Sequence, residues 1–133
     1  MSVTWLEKAV VLAIHDRQIA EHGGILGVRD MGLLESALER PRQLVAYEEE
    51  PDDYDLAAAY AHGIARNHPF LDGNTRTAYV TCMTFLRLRG IGIRAEGVKR
   101  VIMFERLGNG TLEQRDLAAW LRSCGLRHPP ENN

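Results

Sequence analysis

The sequence predicts an all-α domain of about six or seven helices, on three observations. Apolar residues recur at helical spacing, as at Leu56, Tyr60 and Ile64. Capping residues open the apolar segments and Gly or Pro closes them. One segment, Asn74 to Arg89, is apolar nearly all round, which is the signature of a buried helix at the centre of a bundle. A chain of 133 residues buries a sizeable core as one domain, read here as 1–126, followed by a frayed tail over 127–133.

Thr4 with Glu7 reads as a capping box for a first helix, with Leu6, Val10, Ala13 and Ile14 on its inner face. Gly23-Gly24 ends it, and His15 reads as a helix-surface or core-edge residue. Asp30 is a good N-cap for a helix over Met31 to Arg40 whose inner stripe is Leu33, Leu34, Ala37 and Leu38. Pro41 closes that helix or starts the next turn. Leu44 to Tyr47, before Glu48-Glu49-Glu50-Pro51, reads as the least helical part of the first half, with the acids in a solvated loop. Asp52 or Asp53 then caps a helix through Leu56 to Arg66, whose run of alanines permits close packing. Pro69 stops it, since the residue before a proline is pushed away from α geometry.

Ala78, Val80, Cys82, Met83, Phe85, Leu86 and Leu88 make the segment after Asn74 the central helix, ended by Gly90. Ile91-Gly92-Ile93 is a short extended link, and a helix from about Glu96 to Leu107 ends at Gly108-Asn109-Gly110. Thr111 with Gln114 starts the last helix, with Leu112, Leu117, Ala118 and Leu121 inward and Gly125 after it.

With 45% hydrophobic and 26% charged residues, a net charge of −2 and a pI of about 6.2, the chain carries no electrostatic footprint for nucleic acid or an anionic membrane. Cys82 and Cys124 lack metal-ligand spacing and read as small hydrophobes in a reducing compartment. No secretory signal or spanning run is read in the sequence, so a cytoplasmic protein without membrane contact is expected.

The chemistry concentrates in Asn67-His68-Pro69-Phe70-Leu71-Asp72-Gly73-Asn74-Thr75-Arg76-Thr77. A glycine that admits positive φ opens a helix here, and the unpaired amides at Gly73, Asn74 and Thr75 make an anion site. Arg76 adds a fork suited to phosphate oxygens, and Asp72 a hard oxygen ligand for Mg²⁺. His68 is of the side-chain type whose unperturbed pKa allows proton uptake near neutrality. Any one of these is compatible with a plain turn in which Phe70 plugs the core and Asp72 caps the next helix. Base, metal ligand, phosphate cradle and cation together describe phosphoryl or nucleotidyl transfer. An EF-hand is excluded by the position of Gly73 and the missing closing glutamate.

His68-Pro69-Phe70-Leu71-Asp72-Gly73-Asn74-Thr75-Arg76 resembles the Fic motif, HPFx(D/E)GNxR. His15-Asp16 before Gly23-Gly24, Arg29-Asp30 with Gly32-Leu33-Leu34-Glu35-Ser36-Ala37-Leu38, and Arg87-Leu88-Arg89-Gly90 are similar to the death-on-curing (Doc) toxin branch of the Fic/Doc family. The resemblance runs from about His15 to Leu121. It implies a Fic-like helical bundle with a short flap, and transfer from Mg²⁺-bound ATP or another nucleoside triphosphate to a protein serine or threonine hydroxyl.

In that picture His68 is the base, Asp72 places Mg²⁺, and Gly73, Asn74, Thr75 and Arg76 bind phosphate, with Arg66 as a further nucleotide contact. The stretch around Tyr47 would be the flap that docks the target by strand-like pairing. AMP-transferring members have Gly in place of Thr75 and Arg in place of Tyr79. Phosphate-transferring Doc members have Lys in place of Thr75, and elongation factor Tu is a target there. This chain has neither pattern in full, so both transfers stay open, with the Doc-like one favoured by whole-chain similarity. Non-enzymatic helical binding, or nucleotide binding without turnover, is the reading of another class. An antitoxin whose helix lies in a groove beside the site is the implied partner; the internal inhibitory pattern (S/T)xxxE(G/N) does not occur.

Overall fold

A computed structural model describes residues 3–48 and 50–127. Six helices appear among them: α1 (Lys8–His22), α2 (Met31–Tyr47), α3 (Asp53–Asn67), α4 (Asn74–Leu88), α5 (Gly97–Asn109) and α6 (Gln114–Cys124). Two short strands, β1 (Ile91–Ile93) and β2 (Gly125–Arg127), pair antiparallel with Ile91 opposite Arg127. The all-α bundle expected from the sequence is what forms.

The helix at the centre is α3 rather than α4. Ten of the fifteen α3 residues are buried, against seven of fifteen in α4. The alanines explain it: Ala57, Ala58, Ala59 and Ala61 are fully enclosed, so α2, α4 and α6 all close on the same helix. Gly63 is part of the same device, because a Cβ there would stand 3.0 Å from the Cα, Cβ and carbonyl oxygen of Ala37 on α2. Asp52 caps α3 in a reciprocal box with Asp55. In α4 the solvent takes Arg76, Arg87 and Leu88 instead.

Several expected boundaries shift, each for a physical reason. Leu6 is buried with its amide donating to the Tyr60 hydroxyl at 3.0 Å, which holds that segment extended. α1 therefore starts at Lys8 with no Thr4–Glu7 capping box. Its buried face is Val11, His15 and Gln18, while Val10 is exposed. α2 runs straight through Pro41 to Tyr47, against the expectation of a break and a loop. An internal proline costs roughly 3 kcal/mol, but Pro41 is itself buried and Leu44 packs on the core beyond it. Glu113 rather than Thr111 caps α6; the Thr111 hydroxyl turns to Asn109 instead.

Arg127, expected in the frayed tail, is anchored. It is paired in β2, and its guanidinium donates to Asp53 Oδ2 at 2.9 Å while Arg89 donates to Oδ1 at 3.0 Å. The rest of the expected tail, 128–133, lies outside the described residues. Both cysteines are free thiols, and burial pushes the Cys82 thiol well up.

Candidate active site

The chain leaves α3 through His68, which caps the helix in the left-handed region at φ 49°, ψ 56°. That conformation is strained for a residue with a Cβ and persists only where surroundings hold it. Arg29 does the holding: its Nε donates to the His68 carbonyl at 2.7 Å and its NH2 to the Asn67 carbonyl at 2.9 Å. The Asn67 amide donates to Leu33 O at 3.0 Å, so α2 shares the load. The imidazole of His68 is left exposed on the rim of a cavity of about 950 Å³.

Beyond His68, Val28 bridges Phe70 antiparallel. The amides of Arg29 and Asp30 both donate to Pro69 O, at 2.7 and 3.0 Å, and that of Leu71 to Gly27 O at 3.0 Å. The segment lying along the motif is thus Gly23 to Asp30. Gly24 and Gly27 are required there: a Cβ on Gly24 would come within 2.8 Å of Asp72 Oδ2, and one on Gly27 within 3.1 Å of Leu71. The flap was expected at Leu44 to Pro51, but that stretch is the C-terminal end of α2 and its exit. Tyr47 is 87% exposed there, and the helix that separates it from Asp30 places it about 26 Å away. Glu49 of that stretch lies outside the described residues.

Phe70 plugs the core and stacks on His15, with centroids 3.8 Å apart. His15 Nε2 donates to the Asp72 carbonyl at 2.9 Å, tying α1 to the turn. The Asp72 carboxylate accepts one amide at each oxygen, Gly73 at 2.9 Å and Ile25 at 3.2 Å. A carboxylate oxygen accepts more than one hydrogen bond or ligand, so Asp72 keeps capacity toward the cavity it lines. That fits a hard cation completed by phosphate and water, in the way Mg²⁺ is commonly held.

Gly73 takes φ 73° and admits the chain to α4. Its own amide is spent on Asp72, so the open amides of the helix start are those of Asn74, Thr75 and Arg76. The Asn74 side chain, expected on phosphate, is committed elsewhere. Its Oδ1 accepts from Phe70 N at 2.9 Å and its Nδ2 donates to Phe70 O at 3.0 Å, both buried. Thr75 is half-buried with its hydroxyl toward Gly108 of α5. Arg76 is exposed on the cavity with no acid partner among the described residues.

His68, Asp72, Gly73, Asn74, Thr75 and Arg76 therefore border one cavity. Arg66 does not join them. Its guanidinium lies against Gly110 in a separate groove of about 640 Å³ between α2, α3 and the α5–α6 turn. The supporting roles of His15 and Arg29, which hold the loop in place, are what the sequence did not predict. His15 would have been found by reading the inner face of α1 from Val11 at helical spacing; Arg29 leaves no local signal, since its partners are carbonyls across the fold.

Among the described residues no helix is long and apolar enough to cross a membrane. A family model described as Fic/DOC matches residues 5–86. The chain is 39% identical over 83 residues to a protein named protein kinase doc from Escherichia phage P1, covering 62% of this chain and 66% of that one. It is 44% identical over 75 residues to a toxin Doc of Mycolicibacterium smegmatis, covering 56% of this chain and 58% of that one. The chain thus spans about two thirds or less of the curated relatives it matches.

Proposed function

The chain belongs to the Fic/DOC family, and from that premise we propose that it is a toxin-type transferase moving the terminal phosphate of ATP to a serine or threonine hydroxyl of a protein. One observation carries the reading: His68, held in a strained cap, borders the same cavity as the open start of α4 and the exposed Arg76. The kinase name of the phage relative favours phosphate as the transferred group.

In this reading His68 accepts the proton of the attacking hydroxyl, the new O–P bond forms, and the bond from the γ-phosphorus to ADP breaks. General-base help of this kind is commonly worth about 10²–10⁴-fold. The amides of Asn74, Thr75 and Arg76 with the Arg76 guanidinium hold the phosphate charge. Asp72 would hold Mg²⁺, which supplies charge neutralisation to the phosphates when bound. The buried pairing of Asn74 with Phe70 and the grip of Arg29 keep base and cradle in register. Arg66 and Tyr47 have no part in this reading, because each lies away from the cavity.

Restraint by an antitoxin follows from the resemblance and from the toxin name of the mycobacterial relative. Elongation factor Tu is the first target to try. AMP transfer is the second reading, favoured by Thr75: a hydroxyl lacks the charge that a lysine there brings to a phosphate.

Incubation with γ-labelled or α-labelled ATP, Mg²⁺ and a cell lysate tests this, using wild type and His68→Ala. The expected outcome is His68-dependent protein label from the γ position only. Label from the α position would replace phosphate by AMP. No label from either would leave a helical binding protein in place of the enzyme.

A further inference from the structure

We propose that Arg100, braced by Tyr79, is a second phosphate-binding residue of this cavity, reaching the nucleotide from α5 rather than from the motif. The inference deepens the transferase reading and rests on it. Arg100 lies outside the residues that match the family model.

Arg100 lines the cavity together with Arg76 and Tyr79. It is half-buried, and its Nε donates to Ala95 O at 3.1 Å and its NH2 to Ile93 O at 2.8 Å. Its NH1 donates to the Tyr79 hydroxyl at 2.9 Å. The Tyr79 ring stands edge-on to Phe104 at 5.1 Å, so the bracing phenol is fixed as well. All of these acceptors are neutral. No carboxylate pairs with Arg100 among the described residues, Glu105 of the same cavity included.

A guanidinium carries five N–H donors and is always charged. Three of them are spent on neutral acceptors, leaving two donors and an unbalanced positive charge. A half-buried cation in that state favours an anion in the space it borders. Tyr79 follows Arg76 by one helical turn, so the two residues lie on one face of α4. The phosphate chain that Arg76 holds at one point has a second fixed cation within the same cavity. A stacking site for a base is the weaker use of this corner, since Phe104 is buried behind Tyr79. Arg100 thereby selects ligands by phosphate number, and Tyr79 is a positioning residue that acts through it.

The test titrates ATP, ADP, AMP, adenosine and inorganic tripolyphosphate into wild type, Arg100→Gln and Tyr79→Phe, with a melting curve for each. Wild type should bind more tightly with each added phosphate. Arg100→Gln should bind ATP and tripolyphosphate about 10–100-fold more weakly, the usual worth of a charge-assisted hydrogen bond, with adenosine unchanged. Tyr79→Phe leaves the guanidinium and its carbonyl contacts in place, and should weaken ATP severalfold with adenosine unchanged. Where Arg100→Gln melts too early to titrate, Tyr79→Phe decides alone: ATP affinity there equal to wild type overturns the proposal.

ATP binding by a folded Arg100→Gln within about twofold of wild type, or an equal loss for adenosine, would overturn the assignment. A loss in Arg100→Gln with none in Tyr79→Phe would overturn the bracing role. Failure of the transferase reading is separate: there, wild type transfers no label while Arg100-dependent tripolyphosphate binding stands. A wild type that binds no phosphate compound sinks both.

Discussion

His15 and Phe70 lie 55 positions apart in the chain and stack face to face, 3.8 Å between centroids and 6° between planes. The same imidazole donates to the Asp72 carbonyl. One side chain of α1 thus fixes both the plug of the motif loop and the turn that carries its acid, so the first helix is part of the site without touching the cavity chemistry.

His15→Phe keeps a ring against Phe70 and removes the donor to Asp72. It should cost about 1–3 kcal/mol, the range for leaving a buried carbonyl unsatisfied, and lower the proposed transfer. Chemical denaturation and the labelling assay check it together. A loss of stability with full transfer would cut the link between this stack and the site.

Asn74→Ala removes two buried bonds to the Phe70 backbone at once. Two buried groups left unpaired cost roughly 2–5 kcal/mol, and the loop that carries His68 loosens. Asn74→Asp keeps the acceptor and loses the donor, so it should fall between wild type and the alanine variant in denaturant midpoint.

Gly63→Ala sets two effects against each other. Alanine in a helix interior gains about 1 kcal/mol over glycine. The new Cβ would stand 3.0 Å from backbone and side-chain atoms of Ala37, which cannot move without shifting α2. Overpacking of that kind costs about 1–3 kcal/mol, so the variant should melt lower than wild type. A higher melting temperature would show that α2 yields easily.

Stability should also fall on mild acidification, through His62. Burial, with the Arg40 and Arg66 charges, lowers its pKa from 6.5 to about 4, and its buried Nδ1 has no partner among the described residues. Between those values the unfolded chain holds a proton that the folded chain does not, so unfolding gains as pH drops. This contribution is whole above pH 6.5 and is lost progressively down to about 4. Melting curves at pH 7 and pH 4.5 should therefore converge in His62→Gln relative to wild type.

Local chemistry wrote the helix class, a count of about six or seven helices, the Asp30 cap, the inner stripe of α2 and the candidate stretch from His68 to Arg76. Each depends on neighbours a few positions away, through periodicity, caps and the stiffness of proline or freedom of glycine. The assembled fold alone settled that α2 continues through Pro41, that Gly23 to Asp30 rather than the Tyr47 stretch lies along the motif, and that Asn74 serves Phe70. It also carried Arg66 into another groove and brought Arg100 to the cavity from α5. In most of these cases the partner sits tens of residues away, and the energy that decides is long-range burial or a hydrogen bond to a distant carbonyl; Asn74 and Phe70 are only four positions apart, and there the packing of Phe70 into the core sets the pairing.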